Sequence, residues 1–270
     1  MTNDQTAAAR RFHELHVAGR PLVLTNAWDV ASARLAEDAG AAAIATTSAG
    51  VAWSLGVPDG DLLDRAHAAG AVARIAAATG LPVTADIEGG LGDVAATVRA
   101  VLAAGAVGVN LEDTGGGRLL DVGEQLPRLA AARGAAGDAG VPLYVNARID
   151  TYLTGLTGTD ALAATLERAR AYLDAGADGI FVPGVAAPEV IKELAAAVPA
   201  PLNIMAGPGS PSVPDLAALG VARVSLGSGI AEAAYAVMAA AAREALTTGT
   251  YDTLANGLPY GRLNTLLSNG

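Results

Sequence analysis

Residues 94–113 read VAATVRAVLAAGAVGVNLED, and the order of residue types in this stretch decides the architecture. Apolar residues recur at helical spacing from Val94 to Ala104, a glycine follows at Gly105 where a left-handed cap fits, and a short apolar run, 108–112, then ends in the acids Glu112 and Asp113. A helix handed through a glycine into a buried strand is half of a βα repeat. The same order recurs along the chain. Strand-like runs fall at 21–25, 42–46, 82–86, 108–112, 143–148, 179–183, 202–205 and 223–226, separated by alanine-rich helical stretches such as 160–175 and 188–197 and punctuated by Gly40, Gly140, Gly176 and Gly220. Eight units of roughly 35 residues match the roughly 250 residues of an eight-stranded α/β barrel.

An open doubly wound sheet is the competing architecture, but its phosphate fingerprint is missing. The first strand runs into Thr25-Asn26-Ala27-Trp28-Asp29 with no G-x-G-x-x-G behind it. No Pro- or Ser-rich linker interrupts the repeat. The expected fold is therefore α/β, a TIM (β/α)8 barrel occupying 1–270 as a single domain with a C-terminal helical extension.

Composition removes several functions. With 27 acids against 17 bases, the formal charge of -10 repels phosphate backbones and anionic lipid surfaces, so neither nucleic acid nor membrane is an expected partner. The chain has no cysteine, which closes off disulfides, thiolate zinc sites and a cysteine nucleophile or acid. Its N-terminus, Met1-Thr2-Asn3-Asp4-Gln5, is polar and lacks a signal-like apolar run, and the expected location is the cytoplasm.

In a barrel of this kind chemistry gathers at the C-terminal ends of the strands. Read in order, those ends carry Asn26, then Thr46 with Thr47 and Ser48, Asp86 with Glu88, Glu112 with Asp113, Arg148 with Asp150, Pro183, Asn203, and Gly227 with Ser228. Several carboxylates at one mouth repel one another unless a cation joins them, and oxygen ligands point to Mg2+ or Mn2+. Zinc would want histidines, yet His13, His16 and His67 all lie in helical segments. A Schiff-base route is closed because the only lysine is Lys192, within the helical run 188–194, and no G-x-S-x-G elbow is present. What remains is a carboxylate-held divalent metal with Arg148 placed to grip an anionic substrate group. The bland alternatives are a structural ion pair for Arg148 with Glu112, a cap for Asp29, and turn chemistry for Asp59 in the run Gly56-Val57-Pro58-Asp59.

Taken together, residues 26–34 (NAWDVASAR), 46–50 (TTSAG) leading to 54–59 (SLGVPD), 86–93 (DIEGGLGD), 108–113 (GVNLED), 146–150 (NARID) and 168–183 (RARAYLDAGADGIFVP) resemble the isocitrate lyase/phosphoenolpyruvate mutase superfamily. The resemblance implies a TIM barrel with a C-terminal helix swapped between subunits in a homo-dimer or homo-tetramer. It also implies Mg2+ held mainly by Asp86, with Asp59, Glu88 and Glu112 around it, partly through water. By the same resemblance Asp59, Glu112 and Arg148 are catalytic, Arg148 grips the substrate, and Thr47, Ser48 and Ala49 bind its carboxylate end.

The departures matter equally. Lyases of this superfamily carry a K-K/R-C-G-H lid after the fourth-strand acid, and its cysteine protonates the product. Here the stretch 113–121 reads DTGGGRLLD, without Lys, Cys or His, and only Arg118 could stand in. The expectation is a Cys-less branch acting as a Mg2+-dependent lyase that cleaves a C–C bond of a small 2-oxo or 2-hydroxy carboxylic acid through a metal-stabilised enolate, with oxaloacetate decarboxylation the simplest case. The alternatives are a phosphonopyruvate-type C–P mutase or hydrolase, which the missing lid lysine and asparagine oppose, and a non-catalytic small-carboxylate binding protein on the same scaffold.

Overall fold

The computed structural model describes residues 3–268. The chain runs α1 (Asn3–Glu14), β1 (Leu22–Leu24), α2 (Val30–Asp38), β2 (Ile44–Ala45), α3 (Ser48–Ser54), α4 (Arg65–Ala78), β3 (Val83–Asp86), α5 (Val94–Ala103), β4 (Gly108–Glu112), β5 (Thr114–Gly115) and β6 (Arg118–Leu119). It continues with α6 (Val122–Ala139), β7 (Tyr144–Arg148), α7 (Gly158–Asp174), β8 (Gly179–Val182), α8 (Pro188–Ala197), β9 (Leu202–Met205), α9 (Val213–Ala218), β10 (Arg223–Ser225), α10 (Gly229–Thr247) and α11 (Tyr260–Ser268). Eight of these strands form one all-parallel sheet in the order β1-β10-β9-β8-β7-β4-β3-β2. The sheet curls into a nearly closed TIM barrel, joined at its seam by the parallel bridge between Ala27 and Thr46. Asn26 stitches that seam, donating through Nδ2 to the Thr46 carbonyl at 3.1 Å while Oδ1 accepts from Leu226 N at 3.0 Å.

Every strand read from the sequence is present; 108–112 and 202–205 keep their bounds and the others are trimmed by a residue or two. The punctuating glycines do what their position requires: Gly40, Gly105, Gly140, Gly176 and Gly220 all take positive φ just after a helix, a conformation that costs a residue with a Cβ about 1–2 kcal/mol. The remaining stretch, 113–121, is not an open loop. It folds into the antiparallel hairpin β5–β6, with Gly116 and Gly117 both at positive φ in its two-residue turn.

The bore departs from the usual barrel interior of branched aliphatic layers. Along β4 the order Gly108-Val109-Asn110-Leu111-Glu112 alternates. Asn110 faces inward, bonding Asn146 of β7 and Arg223 of β10, so Val109 and Leu111 point outward under the helices. The same alternation places Tyr144, Asn146 and Arg148 inward on β7. Aliphatic burial thus happens between sheet and helices, and the bore carries a hydrogen-bonded polar column. Helix α1 plugs its lower end with Phe12, fully buried against Tyr144.

Candidate functional site

The acids stand at the open end of this column because three adjacent strands stop there. Asp86 ends β3, Glu112 ends β4 and Arg148 ends β7, with Glu112 and Arg148 in register as neighbours. Asp86 is oriented from both sides: its amide donates to Thr46 Oγ1 at 2.9 Å, and its Oδ2 accepts from Ser48 Oγ at 3.1 Å. The Asp59 carboxyl turns in from the exposed rim to the same Ser48 hydroxyl. Desolvation first, and the neighbouring Asp86 charge second, raise it above the ordinary carboxylate range.

Glu88 sits in an unusual backbone. Its φ is +49°, and Asn26, Asp61 and Leu91, all near this mouth, are also non-glycine residues at positive φ. Such strain gathers where the surrounding structure over-determines the backbone. The buried Glu88 carboxylate accepts from the amides of Gly60 and Asp61, so it pins the loop that carries Asp59. Burial, assisted by Asp59, Asp86 and Asp61, pushes its pKa up to about 7 against the pull of the Asp61 amide. Glu112 is likewise pushed up to about 7 by burial, with Arg148 and the Thr114 hydroxyl opposing.

Arg148 is held on two sides. Nη1 contacts Glu112 Oε2 at 2.8 Å, while Nε and Nη2 form a fork on Asp150 at 2.7 and 2.8 Å. Burial disfavours its charge, but Glu112 and Asp150 outweigh burial and raise its pKa. The structural-pair reading of Arg148 is therefore realised, and the same contacts fix the guanidinium while leaving its side chain partly exposed.

Behind this pair lies a layer in which the sequence reading gave Arg168 and Tyr172 no role. Asp113, fully buried, accepts from Arg168 Nη1 at 2.9 Å and from Tyr172 Oη at 2.8 Å, while its other oxygen takes the Asp150 amide at 2.9 Å. Arg168 and Tyr172 lie four residues apart on α7, one face of a helix, which was the available signal. Arg128 of α6 similarly clamps the carbonyls of Gly89 and Glu112, tying the two acid-bearing loops together.

The sequence candidates thus divide. Asp59, Ser48 and Asp86 come together, Glu112 meets Arg148, and Glu88 is turned to the 60–61 backbone. Thr47 is committed to the fold: its amide donates to Ala27 O at 3.0 Å and its hydroxyl oxygen accepts from Gly50 N to cap α3. Ser48 and the buried Ala49 follow it at the mouth. Asp29 is a cap in a reciprocal box with Ser32. Arg118 is drawn to Glu124 at 2.6 Å in the first turn of α6.

Among the described residues no three acids or histidines converge tightly enough to enclose a cation. The donor set is nevertheless entirely oxygen, with one well-oriented carboxylate, a hydroxyl and further carboxylates at a distance. That set fits Mg2+, which keeps most of its water and takes one or two carboxylates directly, better than an ion needing a full protein cage.

A family model described as phosphoenolpyruvate phosphomutase matches residues 12–246. The chain is 40% identical over 263 residues to an uncharacterized protein of Mycobacterium tuberculosis, covering 95% of both chains. It is 34% identical to an oxaloacetate decarboxylase of Rhodopseudomonas palustris, covering 90% of this chain and 83% of that one, and 31% identical to a 2-methylisocitrate lyase of Bacillus subtilis, covering 74% and 67%. Among solved structures, a Burkholderia cenocepacia protein provisionally named a lyase/mutase superposes with a TM-score of 0.91 at 39% identity, covering 98% of both chains. An oxaloacetate acetylhydrolase superposes at 0.85 with 26% identity, covering 98% of this chain and 94% of that one.

Proposed function

Because the chain belongs to the phosphoenolpyruvate phosphomutase family, within the isocitrate lyase/PEP mutase superfamily of C–C lyases and mutases, we propose that it is a Mg2+-dependent carbon-carbon lyase whose substrate is a small 2-oxo dicarboxylate of the oxaloacetate type. The observation that carries this reading is the forked Arg148, fixed at the mouth beside Asp86 and Ser48, in a chain with no cysteine and one remote lysine.

In this reading Asp86, with Asp59, Glu88 and Glu112 through water, holds the metal. Bound there, Mg2+ supplies Lewis-acid stabilisation of charge developing on the substrate. Arg148 grips a carboxylate, and because Glu112 and Asp150 fix its fork, little side-chain freedom is lost on binding. Ser48 and Ala49, beside Thr47, receive the other carboxylate end. Departure of CO2 leaves an electron pair on the 2-oxo fragment, and one proton at C3 completes pyruvate. Water supplies that proton, so the reaction needs no lid acid. Cleavage of a 2-hydroxy acid in the manner of the superfamily's lyases would need one, and the two acids of the stretch 113–121 are committed elsewhere, Asp113 to Arg168 and Tyr172 and Asp121 to the start of α6.

The assembly belongs to the same proposal. Helix α10 and the segment after it expose Met238 (67%), Leu246 (87%) and Tyr260 (84%), an apolar surface of the kind that another copy of the chain covers. We therefore propose a homo-dimer or homo-tetramer built through the C-terminal helices around a single barrel domain. No helix among the described residues is long and apolar enough to cross a membrane.

Proton NMR of the protein with oxaloacetate, 2-methylisocitrate, isocitrate and phosphonopyruvate, each with Mg2+ and with excess chelator, tests the chemistry. Metal-dependent pyruvate from oxaloacetate alone is expected. Turnover of phosphonopyruvate instead would transfer the site to C–P chemistry, and binding of oxalate without any turnover would leave a carboxylate-binding protein.

A further inference from the structure

At the closed end of the bore a buried cation has no carboxylate in contact. Arg223 is 1% exposed; it reaches across the barrel to Asn110 through Nη2 at 3.1 Å and to Ser225 through Nε at 3.4 Å, while Nη1 has no protein partner. The buried His16 Nε2, Tyr144 Oη, Asn146 Oδ1 and Thr84 Oγ1 are also without one. Five orphaned polar atoms in one barrel end are too many for a dry interior, where each would cost about 1–3 kcal/mol.

Their donor and acceptor roles are forced. A guanidinium only donates, so Asn110 must present its oxygen to Arg223. That oxygen also accepts from Asn146 Nδ2 at 2.9 Å, which leaves Asn146 presenting Oδ1 as an acceptor. His16 Nδ1 lies 2.8 Å from the Phe12 carbonyl and must carry its proton there, so the neutral ring presents a lone pair at Nε2. Burial and Arg223 keep the ring neutral, lowering its pKa to about 3. The unpartnered set is therefore one obligate donor, two obligate acceptors and two hydroxyls that can do either.

Glycines let these side chains draw close to the strands. A Cβ on Gly108 would come within 2.8 Å of both Thr84 Oγ1 and the Phe12 ring, and one on Gly179 would collide with the Tyr144 hydroxyl. His16 stacks on Tyr144 with ring centroids 4.0 Å apart, so the two rings stand together.

We propose that Arg223, His16, Tyr144, Asn146 and Thr84 wall a hydrated chamber whose ligand is a cluster of about two ordered waters. A monovalent anion would meet the lone pairs of His16 and Asn146, and a cation would meet Arg223. Only a ligand that donates and accepts at once satisfies the whole set. The cluster solvates the Arg223 charge in place of a counter-ion.

The test is diffraction from crystals of the full chain grown in sodium bromide, with data collected at the bromine edge. Solvent peaks within hydrogen-bond reach of Arg223 Nη1 and His16 Nε2, with no anomalous signal, are expected. A bromide peak there would replace water with an anion, and side chains paired directly with one another around no density would remove the chamber; either overturns the proposal. Thr84→Val, close in shape to the original, is expected to displace one peak and leave the others. Unchanged solvent would show that Thr84 does not face the cluster and would overturn the assignment of the wall. None of these outcomes depends on turnover.

Discussion

The two ends of the barrel bore are both polar, yet they are built on opposite terms. At the closed end amides, hydroxyls and one arginine form a network in which Asn203, Ser225, Arg223, Asn110 and Asn146 bond one another across four strands. At the mouth carboxylates crowd, two of them with pKa values raised to about 7, on loops whose backbone includes four non-glycine residues at positive φ. The lower end holds one cation, Arg223, among neutral groups, several of which bond one another. The upper end leaves charge and strain unrelieved, which is the condition for binding something else. The contrast teaches that polarity in a barrel core is not by itself a site; like charges held against one another are.

That contrast can be broken by substitution. Asp86→Ala is expected to lower turnover of the best substrate about a thousandfold or more, comparable to removing a main electrostatic group, while Tm stays level or rises because a repelling acid is gone. Calorimetry alongside steady-state kinetics decides it, and a large fall in Tm with retained turnover would reverse the roles of the two ends. Tyr144→Ala at the closed end should do the opposite. It strips the contacts with Phe12, His13 and His16 and is expected to cost about 3–5 kcal/mol in a urea unfolding titration, with any folded fraction still binding oxalate.

The pH dependence of stability sharpens the comparison. His16 is neutral in the folded protein down to about pH 3, whereas in the unfolded chain it takes a proton near its ordinary value of 6.5. The unfolded state therefore binds more protons across that window, and stability falls as pH drops below 6.5, by roughly 3 kcal/mol by about pH 4. Thermal melts of His16→Gln should lose that slope relative to the parent chain; an unchanged slope would place the acid sensitivity elsewhere. The smallest effect belongs to Glu88→Gln. It keeps an oxygen for the Gly60 and Asp61 amides and removes a buried charge, so in metal-free buffer at pH 8 it should stabilise by about 1 kcal/mol while weakening Mn2+ binding in a titration. Destabilisation there would mean that the charge itself holds the 60–61 loop.

Much of this was readable residue by residue. The run 94–113 announced a helix, a glycine turn and a buried strand ending in acids, and the structure has all of them, because periodicity, left-handed caps and strand-end polarity are local properties. Arg148 and Glu112 were legible as candidates, but their pairing was only one of the readings open to them. The hairpin 113–121 was read as a glycine-rich stretch; that Gly116 and Gly117 would make a two-residue turn, and that Arg118 would bond Glu124, depended on where α6 begins. Arg168 and Tyr172 gave a helical spacing with no sign of what they faced.

The sequence by itself determined eight βα units, their caps and the row of polar residues at the strand ends. Only the tertiary structure decided which of those residues meet. Arg223 and Asn110 are 113 positions apart and bond because the closing sheet sets their strands on opposite sides of one bore. Side-chain alternation along a strand gives two faces and no label saying which is inside, and that label comes from curvature, a property of the whole sheet.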